Sequence, residues 1–227
     1  MNLTFTEGPL LMSAPMVLAT LRDEKTKTRR VLKLPSLCEF HGGFNPDGLP
    51  IIHRQVSPPQ GWRKQGIHRP EVFPCPYGEV GDRLWIKETF GVSWSAGALI
   101  DPTVNYRADG MQKPIGAAIH ATWREFFLRE RQTVWNPDQW RPSIFMPRFL
   151  SRITLEVTEV RVERLQDITE ADAIAEGAQC AGFPASLTNR GAFALLWDKL
   201  AKEPEYAWDA NPWVWVLSFR RLPGVIP

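Results

Sequence analysis

Four cations and two hydroxyls fill the six positions from Lys25 to Arg30, in a chain whose formal net charge is only +2. The run, Lys25-Thr26-Lys27-Thr28-Arg29-Arg30, follows two acids, Asp23 and Glu24. Guanidinium forks and ammonium charges beside threonine hydroxyls fit phosphate oxygens, so the run reads as an anion site. The same composition suits a solvated edge strand whose cations discourage edge-to-edge pairing. On a strand, Lys25, Lys27 and Arg29 project one way and Thr26, Thr28 and Arg30 the other. A Lys25 still held by a preceding helix end would instead turn back towards Thr28.

Three further places carry groups able to do chemistry. Glu176 falls in the last turn of a short helix, just before Gly177, where the negative end of the helix dipole opposes a carboxylate and its ionisation. A solvent-exposed helix-end glutamate is the plainer reading. Glu88 shares a strand face with Leu84, Ile86 and Phe90; a carboxylate buried there requires a cation or hydrogen-bond donors, whether it serves a structural ion pair or a site. In the stretch QWRPSIFMPRF, Arg141 and Arg148 bracket Ser143, Phe145 and Met146, with Trp140 adjacent. Cations interleaved with aromatics suit single-stranded nucleic acid, and also a loop packed on its own rings. Cys38-x-x-His41, with His53, His68 and Cys75 nearby, has part of a zinc spacing, but no second close pair completes it, and no metal is expected.

The elements that position these groups follow from periodicity and turn chemistry. Ser13 and Pro15 open a helix that carries Val17 and Leu21 on one face and ends near Asp23–Lys25. The basic run then continues as a strand through KTKTRRVLKL. Residues 35–80 are rich in turn residues and read as an irregular insertion. DRLWIKETF, over 82–90, is a strand, and residues 91–115 read as loop. The sequence 117–132 spaces Ile119, Trp123, Phe126 and Phe127 as an amphipathic helix. RITLEVTEVRVERL is a strand whose apolar parity slips by one residue, the mark of a bulge. Thr169 caps a helix that Gly177 stops, with Asp172 at the capping-box position. GAFALLWDKLA is a second helix, and WVWVLSFRR is a strand apolar on both faces. Strands at both ends with short helices between them predict an α+β fold, a small closed barrel with helices packed outside.

Composition narrows the function classes. A chain of 227 residues, 44% hydrophobic, can bury a sizeable core. Ten tryptophans imply a thick aromatic core or a stacking surface. The sequence has no run of eighteen apolar residues and no basic, apolar leader, so neither a membrane span nor a signal peptide is expected. Three cysteines fit a reducing compartment, so a cytoplasmic location is expected. G-x-S-x-G, H-E-x-x-H, Walker and G-x-G-x-x-G signatures are all missing, which leaves hydride transfer, zinc hydrolysis and nucleotide-triphosphate turnover without support, and no cofactor is expected.

SAPMVLATLRDEKTKTRR, CPYGEVGDRLWIKETF, WRPSIFMPRFLSRITLEVTEVRVERLQDITEADAIAEG and WDANPWVWVLSFRRL together resemble the ASCH-domain family, especially its long branch in phage and prophage genomes. The resemblance covers about two thirds of the chain. It implies one PUA-like β-barrel domain over 1–227, with insertions at about 35–80 and 91–150. It also implies recognition of RNA or a modified nucleoside. A small member of the family is an amidohydrolase that deacetylates 4-acetylcytidine. Its lysine and threonine lie in a K-T-x-T stretch that matches Lys25 and Thr28, and its glutamate, near the end of a helix, matches Glu176. Family members usually carry glycine where this chain has Asp23, and an acid there could pair with Lys25 and keep it protonated.

The expected catalytic set is therefore Lys25, Thr28 and Glu176, with Lys27, Arg29, Arg30, Trp85, Glu88, Arg141, Ser143 and Arg148 as nucleic-acid contacts. A binding module without chemistry is the first reading and deacetylation of a bound nucleoside the second. Ribonuclease or phage-assembly roles are weaker alternatives. The sequence does not set the oligomeric state.

Overall fold

The computed structural model describes residues 5–35, 38–56, 67–94, 102–115, 140–182, 184, 186–201 and 203–223. The amphipathic helix expected over 117–132 lies outside them. The architecture is α+β and mostly strand. In chain order the elements are β1 (Glu7–Leu11), α1 (Ala14–Leu21), β2 (Lys27–Val31), β3 (Cys38–Phe44), β4 (Pro50–Val56), β5 (Ile67–Val72), β6 (Arg83–Lys87), β7 (Phe90–Trp94), β8 (Pro102–Tyr106), β9 (Gln112–Pro114), β10 (Thr154–Arg164), α2 (Glu170–Ala175), α3 (Asn189–Leu200) and β11 (Trp213–Leu222). The strands form a five-stranded sheet in the order β1-β6-β10-β11-β2 and two three-stranded sheets, β3-β4-β5 and β7-β8-β9.

Among the described residues no sheet closes into the expected barrel. The end strands β1 and β2 pair with β6 and β11, not with each other. Nor are the described residues between 38 and 72 irregular: β3, β4 and β5 form an antiparallel sheet. Pro70 sits in β5, at the edge of its sheet, where a missing N–H costs no ladder bond. Gly42, at φ +85°, falls where the β3–β4 register shifts between Phe40 and Phe44. The described residues of 91–115 likewise include β7, β8 and β9 rather than loop alone, because Phe90 and Val92 pair with Tyr106 and Val104 to make one buried face.

The chain divides into two compact units. One comprises Met1–Thr6, Lys25–Arg83 and Glu156–Arg220; the other comprises Glu7–Glu24, Leu84–Leu155 and Arg221–Pro227. In the first, β11 is the central strand, with Val214, Trp215, Val216 and Leu217 fully buried. Val214 and Val216 pack with Ala173 of α2 and with Ala192 and Phe193 of α3. α2 is capped by Thr169, whose Oγ accepts from Asp172 N at 3.0 Å, and it ends at Gly177, φ +76°. α3 is capped by Thr188 in the same way.

The second unit is built on Phe90, Val92, Val104, Tyr106, Ile115, Met146 and Leu150. Its helix α1 closes with a residue pair of known geometry. Asp23 N donates to Thr20 O and Glu24 N to Ala19 O, with Asp23 at φ +59°. That is the Schellman arrangement, whose left-handed position glycine occupies at least cost and aspartate tolerates better than most residues.

Candidate functional site

Three of the four cations of the basic run are paired within the chain. Lys25, Lys27 and Arg29 all project towards α2, as strand alternation requires. Lys25, 4% exposed, donates to the Glu176 carboxylate at 2.8 Å, to the Glu176 carbonyl at 2.8 Å and to the Lys27 carbonyl at 2.7 Å. Its three N–H bonds are thus all accepted. Lys27 pairs with Asp172 at 2.6 Å. The fully buried Arg29 guanidinium bonds Glu163, Asp172 and Glu176, the last two at 3.3 Å, and lies over the Phe193 ring. Arg161 completes the cluster through Glu159 and Glu163. Four cations therefore face four carboxylates, Glu159, Glu163, Asp172 and Glu176.

Local structure explains the convergence. Glu176 is the C-terminal cap of α2, where helix carbonyls lack intrahelical partners. Those carbonyls are satisfied from the start of β2: Ala175 O accepts from Thr26 N at 2.8 Å, and Glu176 O from Lys25. Glu176 is consequently not an exposed helix-end residue but 4% exposed. Asp172 turns to Lys27 and Arg29. Odd positions of β10 supply Glu159, Arg161 and Glu163, so the parity that buries Leu155 and Val157 higher in the strand becomes ionic here.

Burial pushes the Lys25 ammonium down from the ordinary lysine value, against the Glu176 charge that favours it. Burial also opposes the charged form of Asp172, but the Lys27 hydrogen bond and the charges of Arg29 and Lys27 outweigh it and hold the acid down at about 2. Thr28 is 5% exposed and pairs with Leu217 of β11. It lies on the opposite face of β2 from Lys27 and Arg29. The Lys25 ammonium nevertheless rests against the peptide joining Lys27 to Thr28, since it bonds the Lys27 carbonyl. Asp23 has its own partner: both its oxygens are held by Arg221, at 2.9 and 2.8 Å, and the Arg221 hydrogen bond lowers its pKa.

The remaining expected nucleic-acid contacts lie in the second unit, apart from Arg30, which pairs with Trp215 across the β2–β11 ladder. Glu88 is 1% exposed and held bidentately by Arg152, at 2.9 Å for each oxygen. Arg152 also bonds Asp109 at 2.7 Å and covers the Tyr106 ring. Burial raises the Glu88 pKa against the pull of Arg152. Sequence reading missed Arg152 and Asp109; the demand of Glu88 for a cation was the available signal. Arg148 is engaged by Glu7 and Thr154 and covers Trp85. Arg141 bridges to Phe90 through both backbone groups, and Ser143 begins a 3₁₀ turn. Cys38, His41 and His53 lie on the β3–β4 hairpin, where the two histidine rings stand 5.5 Å apart. Among the described residues no three metal-type ligands converge; the His68 side chain lies outside them.

No family model matches the chain, and neither a curated protein nor a solved structure does. Among the described residues no helix is long and apolar enough to cross a membrane.

Proposed function

We propose that the chain is an ASCH-type, PUA-like protein that binds a modified nucleoside or RNA, with the Lys25–Glu176 pair at the centre of its site. One observation supports this reading above the others. Two residues singled out by resemblance, 151 positions apart, share a 2.8 Å hydrogen-bonded ion pair that is almost completely buried. The pair is flanked by Arg29 and Asp172, so the region is charged but balanced. A balanced site suits hydrogen bonding to a base or acyl group better than capture of a lone phosphate.

Deacetylation is the second reading, and it draws on the lowered pKa of Lys25. Moving one proton along the Lys25–Glu176 bond would leave Lys25 as the neutral amine that its burial favours. The amine would take the Thr28 hydroxyl proton as the oxygen attacks the acetyl carbon, a step that requires the Thr28 side chain, on the opposite face of β2, to turn towards Lys25. Glu176 would protonate the departing amine as the C–N bond breaks, and water would then release acetate from Thr28. The test is incubation of the protein with 4-acetylcytidine and with single-stranded RNA, read by mass spectrometry and gel shift. Binding without a mass change supports the module, and loss of the acetyl mass supports the enzyme. No interaction with either compound contradicts the proposal.

A further inference from the structure

With Lys27 and Arg29 of β2 committed to carboxylates, exposed rings and cations able to meet a nucleic-acid strand lie in the second unit. Trp140 is 41% exposed and Phe145 is 66% exposed. Both sit on a loop fixed at several points. Phe90 and Arg141 exchange backbone hydrogen bonds at 2.7 and 3.3 Å. Lys87 Nζ donates to the Ile144 carbonyl, and the backbone N–H of Glu88 donates to the sulfur of the buried Met146. Glu88 is itself locked by Arg152. Pro142 and Pro147 restrict the backbone at both ends of the turn. The loop is a preorganised support rather than a tether, so its rings need little ordering on binding.

The cations of this face differ in kind from those of β2. Arg107 stands over the Trp140 ring at 5.9 Å, and Lys87 over Trp85 at 5.5 Å. Among the described residues neither has a carboxylate within ion-pair distance. The nearby acids are occupied: Glu88 and Asp109 by Arg152, and Glu7 by Arg148. Exposed rings beside uncompensated cations are complementary to stacked bases joined by phosphates. A protein partner would be met by the apolar surface alone and would leave Lys87 and Arg107 without a role.

We infer that Trp140 and Phe145 form a stacking platform for single-stranded RNA, with Arg107 and Lys87 meeting its phosphates. This rests on the RNA-binding reading and assigns it a surface separate from the Lys25–Glu176 pair. Backbone anchoring of the loop and stacking on generic π-faces imply weak sequence preference and rejection of duplex, whose bases are already stacked.

The test is fluorescence anisotropy with a labelled twelve-nucleotide oligouridine, and with a duplex of equal length, as salt is raised. Trp140→Ala and Phe145→Ala should each weaken single-strand binding by about tenfold. Arg107→Gln with Lys87→Gln should flatten the salt dependence by roughly 0.7 per cation removed. Thermal melting of each variant confirms folding, and Arg107→Gln alone, which keeps the Lys87 anchor to Ile144, leaves the rings in place should an alanine variant fold poorly. Oligouridine affinity unchanged in both ring variants overturns the platform. So does undetectable oligouridine binding by the wild type, including the case in which the ring variants alter self-association and so mark a protein contact. In either case 4-acetylcytidine binding, measured on the same samples, reports separately on the Lys25–Glu176 site.

Discussion

A lysine 4% exposed with three accepted N–H bonds is a costly object unless its partner stays charged and in place. Removing one member of such a pair leaves a buried charge. Lys25→Met should therefore destabilise the fold by roughly 3–5 kcal/mol in denaturant unfolding. Lys25→Met combined with Glu176→Leu should recover much of that, because Arg29 keeps Glu163 and Asp172. A single change costing no more than a surface pair would show that the network is not taut. Asp172 supplies a pH signature. Its folded value of about 2 lies below its ordinary 3.8, so the stabilisation it provides is present above about pH 4 and fades as pH falls towards 2. Asp172→Asn should lower stability at neutral pH and flatten the acid limb of the unfolding midpoint. An acid limb identical to wild type would assign it to other groups.

At the scale of elements, Asp23 separates two explanations of a glycine preference. From the sequence alone, an acid here could pair with Lys25. In the structure its carboxylate is taken by Arg221, and what the position demands is a left-handed backbone. Asp23→Gly relieves the backbone and loses an exposed ion pair, so thermal melting should move little. Asp23→Val, β-branched at φ +59°, should lower it clearly. A valine variant as stable as wild type would refute the backbone account. The same contrast governs what was legible. Caps, helix α3 and the doubly apolar β11 were readable because each depends on neighbours in sequence. So was the burial of Glu88, from three apolar residues on its face. β3 to β5 were not, because an edge proline and a glycine bulge look like loop until the sheet order is known. β7 to β9 were passed over although Val104 and Tyr106 alternate correctly. The ionic partners of Lys25, Lys27 and Arg29 come from β10 and α2, more than a hundred residues away, and no local pattern announces them.

For the molecule as a whole, the positive charges of Lys25, Lys27 and Arg29 are neutralised by carboxylates of the same chain. A chain of net charge +2 has no large field with which to gather polyanions. On the proposed reading, recognition rests on hydrogen bonds at the Lys25–Glu176 pair and on stacking on exposed rings, with little long-range steering. The most direct measurement is isothermal titration of 4-acetylcytidine into wild-type protein and into Glu176→Gln, each shown to be folded by melting. The account predicts saturable one-to-one binding by wild type, weakened at least tenfold in the variant, since the glutamine cannot accept as a carboxylate from Lys25 and Arg29. Equal affinity in the two proteins would contradict it.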